Sequence, residues 1–114
     1  MKKIIFYCFI VIIILISCNS EKNPMDATVS EAKNLKDGMY VRIEGTIDAF
    51  LFEEYYKFSD NTGSISVEIE SEIWARNGVN PSDLQFPVSV EIVGEVDKER
   101  SQDAIIEVER LKLL

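Results

Sequence analysis

Side chains that can donate, accept or carry charge recur at alternate positions of one short stretch. In "YYKFSDNTGSISVEIE", residues 55–70, Tyr55, Lys57, Ser59, Ser64, Ser66, Glu68 and Glu70 share one side if the stretch is a pair of strands, because successive strand residues point to opposite faces. Three chemistries are compatible with such a face. Hard cations take oxygen ligands, so Glu68 and Glu70, with Glu72 nearby, are candidates for calcium or magnesium. Paired carboxylates also serve acid–base work such as glycoside hydrolysis. A ring beside a charge can instead hold a ligand without reacting with it. Against all three stands a solvated acidic face that keeps a small sheet protein soluble and protects its edges. No spaced Asp/Asn/Gly loop accompanies the acids, so solvation outweighs metal binding.

Composition removes further classes. There is no His, and Cys occurs only at Cys8 and Cys18. Past the leader no internal disulfide, His/Cys zinc site or His-based triad is available. Glycine-rich phosphate loops and a nucleophile elbow are absent. A small closed sheet also lacks the volume for a deep catalytic cleft. The expectation is a protein that is not an enzyme and carries no cofactor. Its net charge is -8, and without Lys2 and Lys3 ten basic residues face twenty acidic ones. Such a surface repels phosphate backbones and favours cationic partners. A single-strand-binding surface needs a basic groove with exposed rings; Tyr55 and Lys57 beside Glu68 and Glu70 make a poor one, and no nucleic acid is expected.

The leader "MKKIIFYCFIVIIILISCNS" opens on Lys2-Lys3 and runs apolar from Ile4 to Ile16, short of the roughly 18 residues a spanning helix needs. It reads as a secretory signal. Leu15-Ile16-Ser17-Cys18 resembles the bacterial lipobox. That resemblance implies a signal peptide at 1–17, cleavage before Cys18, and lipid on the Cys18 sulfur; two or more chains anchor stably where one does not. Residues 18–27 then form a lipidated, flexible linker. Asn19, where Asp would mark inner-membrane retention, favours the outer membrane. The expected address is the cell envelope, anchored by lipid and facing the periplasm.

The elements that position the polar face follow from residues 28–114. "TVSEAKNLKDG" carries a capping box, Thr28 with Glu31, and Gly38 as a stop. "MYVRIEGTIDAFL" alternates, placing Val41, Ile43, Gly45 and Ile47 inward; Gly45 suggests a bulge or bend. The hairpin follows, with Tyr56, Phe58, Ile65, Val67 and Ile69 inward and Asn61-Thr62-Gly63 as its loop. "SEIWARNG" is a short helix with Ser71 as N-cap, and its Trp74 more readily plugs the core than touches a ligand. "VSVEIVGEVD" and "DAIIEVERLKLL" supply two more strands, with Val88, Val90, Ile92, Val96, Ile106, Val108 and Leu111 inward. Five strands with a helix between the third and fourth give an all-β, five-stranded OB-fold barrel with an N-terminal helix.

"TVSEAKNLKDG", "V-x-I-x-G-x-I", "Y-x-F-x-D-x-T-G-x-I-x-V-E-I", Trp74, "V-N-P-S-D" and "GEVDK", in that order, resemble the bacterial OB-fold (BOF) family of small exported proteins associated with stress tolerance. Two departures fall near loops. "LQFPV" lengthens the connection after Asp83, and Arg100 stands where an aromatic residue is common. The resemblance implies a barrel without nucleic-acid binding. OB barrels bind on the outer face of their second and third strands and in flanking loops. The expected ligand residues are therefore Tyr55, Lys57, Ser66, Glu68 and Glu70, with Trp74 and Arg100 in nearby loops. The expected ligand is a cationic small molecule, a cell-wall fragment or an envelope protein, and the alternative is a divalent-cation-binding envelope protein in metal or stress resistance.

Overall fold

The computed structural model describes residues 23–114, and the expected signal peptide and Cys18 lie outside them. Alternation across residues 40–52 becomes the longest strand. In chain order the elements are β1 (Met25–Asp26), α1 (Val29–Lys33), β2 (Tyr40–Phe52), β3 (Tyr55–Asp60), β4 (Gly63–Glu68), α2 (Ser71–Arg76), a single 3₁₀ turn at Pro81–Asp83, β5 (Val88–Asp97) and β6 (Ile105–Leu113). Strand β2 pairs antiparallel with both β3 and β5. The circuit closes through β3–β4, a parallel β4–β6 pair and antiparallel β6–β5. This is the expected five-stranded OB-fold barrel. Strand β1 adds in parallel to β2, Met25 opposite Val41, so the segment expected to be flexible is ordered at its domain end.

Closure depends on β2 changing partners. Its residues Tyr40–Ile47 face β5, and from Thr46 it also faces β3. Gly45 sits at that junction, where a Cβ would lie 2.3 Å from the Ser59 carbonyl oxygen and 2.7 Å from the Phe58 ring. The expected bulge is not at this residue: register shifts fall between Ile47 and Ala49 and between Phe50 and Phe52. Gly45 is required for close approach. At the first shift, Thr46 Oγ1 donates to Asp48 Oδ1 at 2.6 Å and Ser59 donates to the same carboxylate. Burial alone would raise the Asp48 carboxyl, but these hydroxyls and the nearby Lys57 charge outweigh it and hold the group low.

The inward residues expected from alternation are buried, Gly45 and Val88 only partly. Trp74 is 1% exposed and caps one end of the core. Its ring meets Tyr56 edge-on at 5.5 Å, and Phe86 meets the other side of the cluster through Tyr56 at 6.2 Å. Thus the inserted "LQFPV" segment adds Leu84 and Phe86 to the plug, with a cis bond before Pro87. Helix α2 starts one residue earlier than expected for a Ser71 cap. Glu70 is its N-cap without a side-chain bond, and Ser71 N–H donates instead to Glu54 at 3.1 Å.

Helix α1 has the capping box, with Thr28 Oγ1 accepting from Glu31 N–H at 3.1 Å and Glu31 accepting from Thr28 N–H at 3.0 Å. It ends at Lys33, before Gly38, which takes φ +87 after a separate turn. The hairpin loop is two residues, Asn61-Thr62, since Gly63 pairs with Asp60. That tip holds the helix: Asp60 Oδ2 accepts from Val29 N–H at 2.9 Å, and Thr62 Oγ1 from Ser30 N–H at 3.0 Å. A five-residue helix does not persist alone; here the barrel supplies the partners for its amides.

Residues 23–114 close the barrel on themselves around one core, at a size that folds independently. Asp60→Ala is expected to lower stability by about 1–2 kcal/mol in denaturant unfolding, the range for losing a helix cap. Burial would raise the Asp60 carboxyl, but the Thr62 hydroxyl and the amides of Val29, Thr62 and Gly63 outweigh it and hold it low. A depressed folded pKa stabilises fully above the unfolded value and is lost as pH falls through the folded one. The wild-type barrel should therefore lose stability below about pH 4, and Asp60→Ala should show less of that loss.

Candidate functional site

The outer faces of β3 and β4, the β2–β3 turn and the β5–β6 loop enclose an open cleft of about 910 Å³. Tyr55 and Lys57 reach it from β3, and Ser64 and Ser66 from β4. Leu51 and Phe52 arrive from the turn, Lys98 and Arg100 from the loop, and Lys33 from the end of α1. The cleft gathers four of the nine Lys and Arg residues in 23–114, yet only two of the nineteen carboxylates, Glu53 and Asp103. Among the described residues no carboxylate forms a salt bridge with Lys33, Lys57 or Lys98. Within an acidic protein, this cleft is lined by more cations than carboxylates.

At the tip of β2 the alternation stops. Phe50, Leu51 and Phe52 are 52%, 45% and 58% exposed, and Glu53 turns the chain at φ +52. Phe52 lies against Tyr55 with ring centroids 5.1 Å apart and planes tilted by 31°. Phe50 meets Tyr56 edge-on at 5.5 Å. Each ring keeps one side for the protein and one for solvent.

Arg100 organises the rim. Its Nη1 and Nη2 donate to the two oxygens of Glu68 at 3.3 and 3.2 Å, and Nε donates to Asp97 Oδ2 at 2.6 Å. The Tyr55 hydroxyl accepts from Nη1 at 3.5 Å, and Glu107 lies 3.9 Å from Nη2. Glu68 first, and Asp97 next, push the guanidinium proton affinity above its ordinary value. The Asp97 carboxyl is held low, chiefly by the Glu99 amide and further by Arg100. Burial and the Glu68 charge raise the Tyr55 phenol. The network pins the start of the β5–β6 loop across β4.

The expected ligand residues therefore separate. Tyr55, Lys57, Ser66 and Arg100 line one cleft, whereas Glu68, with both oxygens engaged by Arg100, lines a second groove. Trp74 does not join them, because its ring is inside the core. Glu70 faces that second groove, of about 510 Å³, together with Glu68, Glu72, Glu95, Glu107 and Glu109 and with Arg76 and Arg110. A hydrogen bond to Glu72 leads the effects that raise the exposed Glu70 carboxyl, so neighbouring acids repel. Among the described residues no group of three or more acidic, His or Cys side chains is arranged to hold a metal ion. Glu68 and Glu70 share the second groove, but both oxygens of Glu68 are engaged by Arg100, which opposes its use as a cation ligand. Sequence reasoning misses Lys33, Lys98, Leu51 and Phe52; the apolar run Ala49–Phe52, which breaks the alternation, is the available signal.

The bacterial OB fold (BOF) protein profile matches residues 18–113. Protein YgiW of Escherichia coli is 39% identical over 72 residues, which are 63% of this chain and 52% of YgiW. The calcium-regulated OB-fold protein CarO of Pseudomonas aeruginosa is 33% identical over 76 residues, 67% of this chain and 61% of CarO. The chain thus spans about half the length of YgiW and under two thirds of CarO. The solved structure of the hypothetical protein ygiW from E. coli matches with a TM-score of 0.64 at 32% identity, covering 82% of this chain and 91% of that one.

Arg100→Ala should free the loop more than it destabilises the barrel. Exposed ion pairs contribute about 1 kcal/mol or less, so the global unfolding midpoint should move little. Amide hydrogen exchange across residues 98–104 should accelerate about tenfold or more, as local opening predicts. Unchanged exchange there would show that Arg100 does not hold the loop.

Proposed function

The chain belongs to the bacterial OB-fold (BOF) protein family, and from that premise we propose that it is a non-catalytic binding module of the cell envelope. The module works through the cleft between the β2–β3 turn and the β5–β6 loop. The observation that carries this reading is the sorting of charge. Lys33, Lys57, Lys98 and Arg100 line a concavity with the exposed Phe52 ring and the half-buried Tyr55, while the rest of the surface is acidic. Shape and location agree with where OB barrels take ligands.

Nothing in this cleft is poised for reaction. Among the described residues no hydrogen bond joins the Ser64, Ser66 or Ser101 hydroxyl to the carboxylate of Glu53 or Asp103, and the acids Glu70 and Glu72 face the other groove. Hydroxyls, ammonium groups and rings are the equipment of recognition. A cationic small molecule loses its basis once Glu68 is paired with Arg100 and lysines line the cleft. The charge favours an acidic component of the envelope, whether part of the cell wall or of another envelope molecule.

Lipid on Cys18 would hold this module at a membrane, facing the periplasm, with residues 19–24 as the tether. The matched relatives support an association with stress tolerance only through the family. Address and site are tested together in cells. Mass spectrometry of the mature protein should find an acylated N-terminal Cys18, and Cys18→Ala should move the protein out of the membrane fraction. A photo-cross-linking residue at position 57 should capture an envelope component, and one at position 83, away from the cleft, should not. An unprocessed, unacylated protein would overturn the address. Equal capture from both positions would overturn the site.

A further inference from the structure

The lining of the cleft combines two chemistries. Leu51 and Phe52 are 45% and 58% exposed, and Phe52 is steadied by Tyr55. The same cleft is lined by Lys57, Lys98 and Lys33, which come from three separate elements. None of these three lysines forms a salt bridge among the described residues, whereas Arg100 is held by Glu68 and Asp97. Exposed apolar side chains cost free energy that a barrel of this size can ill spare, about 25 cal/mol per Å². Adjacent unpaired ammonium groups raise the local positive potential in a concavity, where field lines concentrate.

A ligand that relieves both at once must carry acid and hydrocarbon next to each other. We propose that the cleft binds an anionic amphiphile, its acidic head on Lys33, Lys57 and Lys98 and its chain against Leu51 and Phe52. The inference rests on the cleft being the binding site and names the class of ligand it takes. A nucleic-acid strand fits less well. Successive phosphates need a basic track, and beyond Arg100 the surface turns to the groove of Glu70, Glu95 and Glu107. The phosphate or carboxylate could belong to a lipid within a bilayer or to a free amphiphile; the chemistry recognised is the same.

The test uses residues 23–114, which close the barrel by themselves, with amide resonances as the readout. Monomeric dodecyl phosphate should give saturable shifts confined to residue 33 and residues 51–57, 64–66 and 98–105. Dodecyltrimethylammonium should bind at least about tenfold more weakly, and added salt should weaken only the phosphate, as screening requires. Lys57→Glu with Lys98→Glu should reduce phosphate affinity by about tenfold or more, the loss expected when attraction becomes repulsion. Phe52→Ser should reduce it with the charges intact, and the dispersion of the spectrum shows whether each variant is folded.

Cosedimentation of the wild type, but not the double variant, with phosphatidylglycerol vesicles assigns a bilayer lipid; monomer binding without cosedimentation assigns a free amphiphile. Either supports the proposal. Equal affinity for the cationic amphiphile, shifts outside the cleft, tighter binding of oligothymidylate, or no binding at all would overturn it. In that case capture from position 57 in cells would still read the cleft itself, so the two readings fail separately.

Discussion

The whole architecture turns on one strand having two partners. Strand β2 must pair with β5 along its first half and β3 along its second, and the two pairings overlap at Thr46 and Ile47. A flat strand does not do this. The chain solves it by removing a side chain at Gly45, where the Phe58 ring and Ser59 carbonyl press in, and by shifting register twice beyond. The first shift turns Asp48 toward the hydroxyls of Thr46 and Ser59. The second brings Phe50, Leu51 and Phe52 to the rim. Closing the barrel and building one wall of the cleft are thus the same event.

The opposite wall depends on electrostatics. Gly94 lets β5 approach the Glu107 carbonyl, and the strand then delivers Asp97, Lys98 and Arg100 at its end. Asp37 accepts from Lys98 N–H at 2.7 Å, fixing the loop from one side, while Arg100 fixes it on Glu68 from the other. One guanidinium pairs with Glu68 and Asp97, while no salt bridge among the described residues engages the lysines that line the cleft. Glu68, Glu70, Glu72, Glu95, Glu107 and Glu109 line the neighbouring groove. Net charge describes the solubility of the protein; the sign of the cleft is set by this local pairing.

Period-two alternation makes the strands and nearly the whole core legible, because a half-buried strand has no other way to divide its residues. The capping box is legible because its partners are three residues apart. What escapes is anything requiring knowledge of which distant segments meet. Asp60 looks like a turn residue and is a helix cap, since α1 lies over the hairpin tip. Glu68 looks like a free carboxylate and is half of an ion pair with a residue 32 positions away. Lys33 and Lys98 belong to elements far apart in the chain and become neighbours of Lys57 only when the barrel closes. Tyr55, Lys57 and Ser66 share an outer face that alternation makes legible; the charge around it is misread because pairing is invisible in composition.

The barrel and its cleft exist together only if β2 bends at Gly45 to hold both neighbours at once. Guanidinium unfolding of Gly45→Ala tests this most directly, since the added carbon would overlap backbone on β3. A bend that requires the bare backbone predicts a loss of about 2 kcal/mol or more, at the upper range for overpacking, with disordered resonances for residues 50–57. A Gly45→Ala variant with the wild-type midpoint and an unchanged spectrum would contradict it.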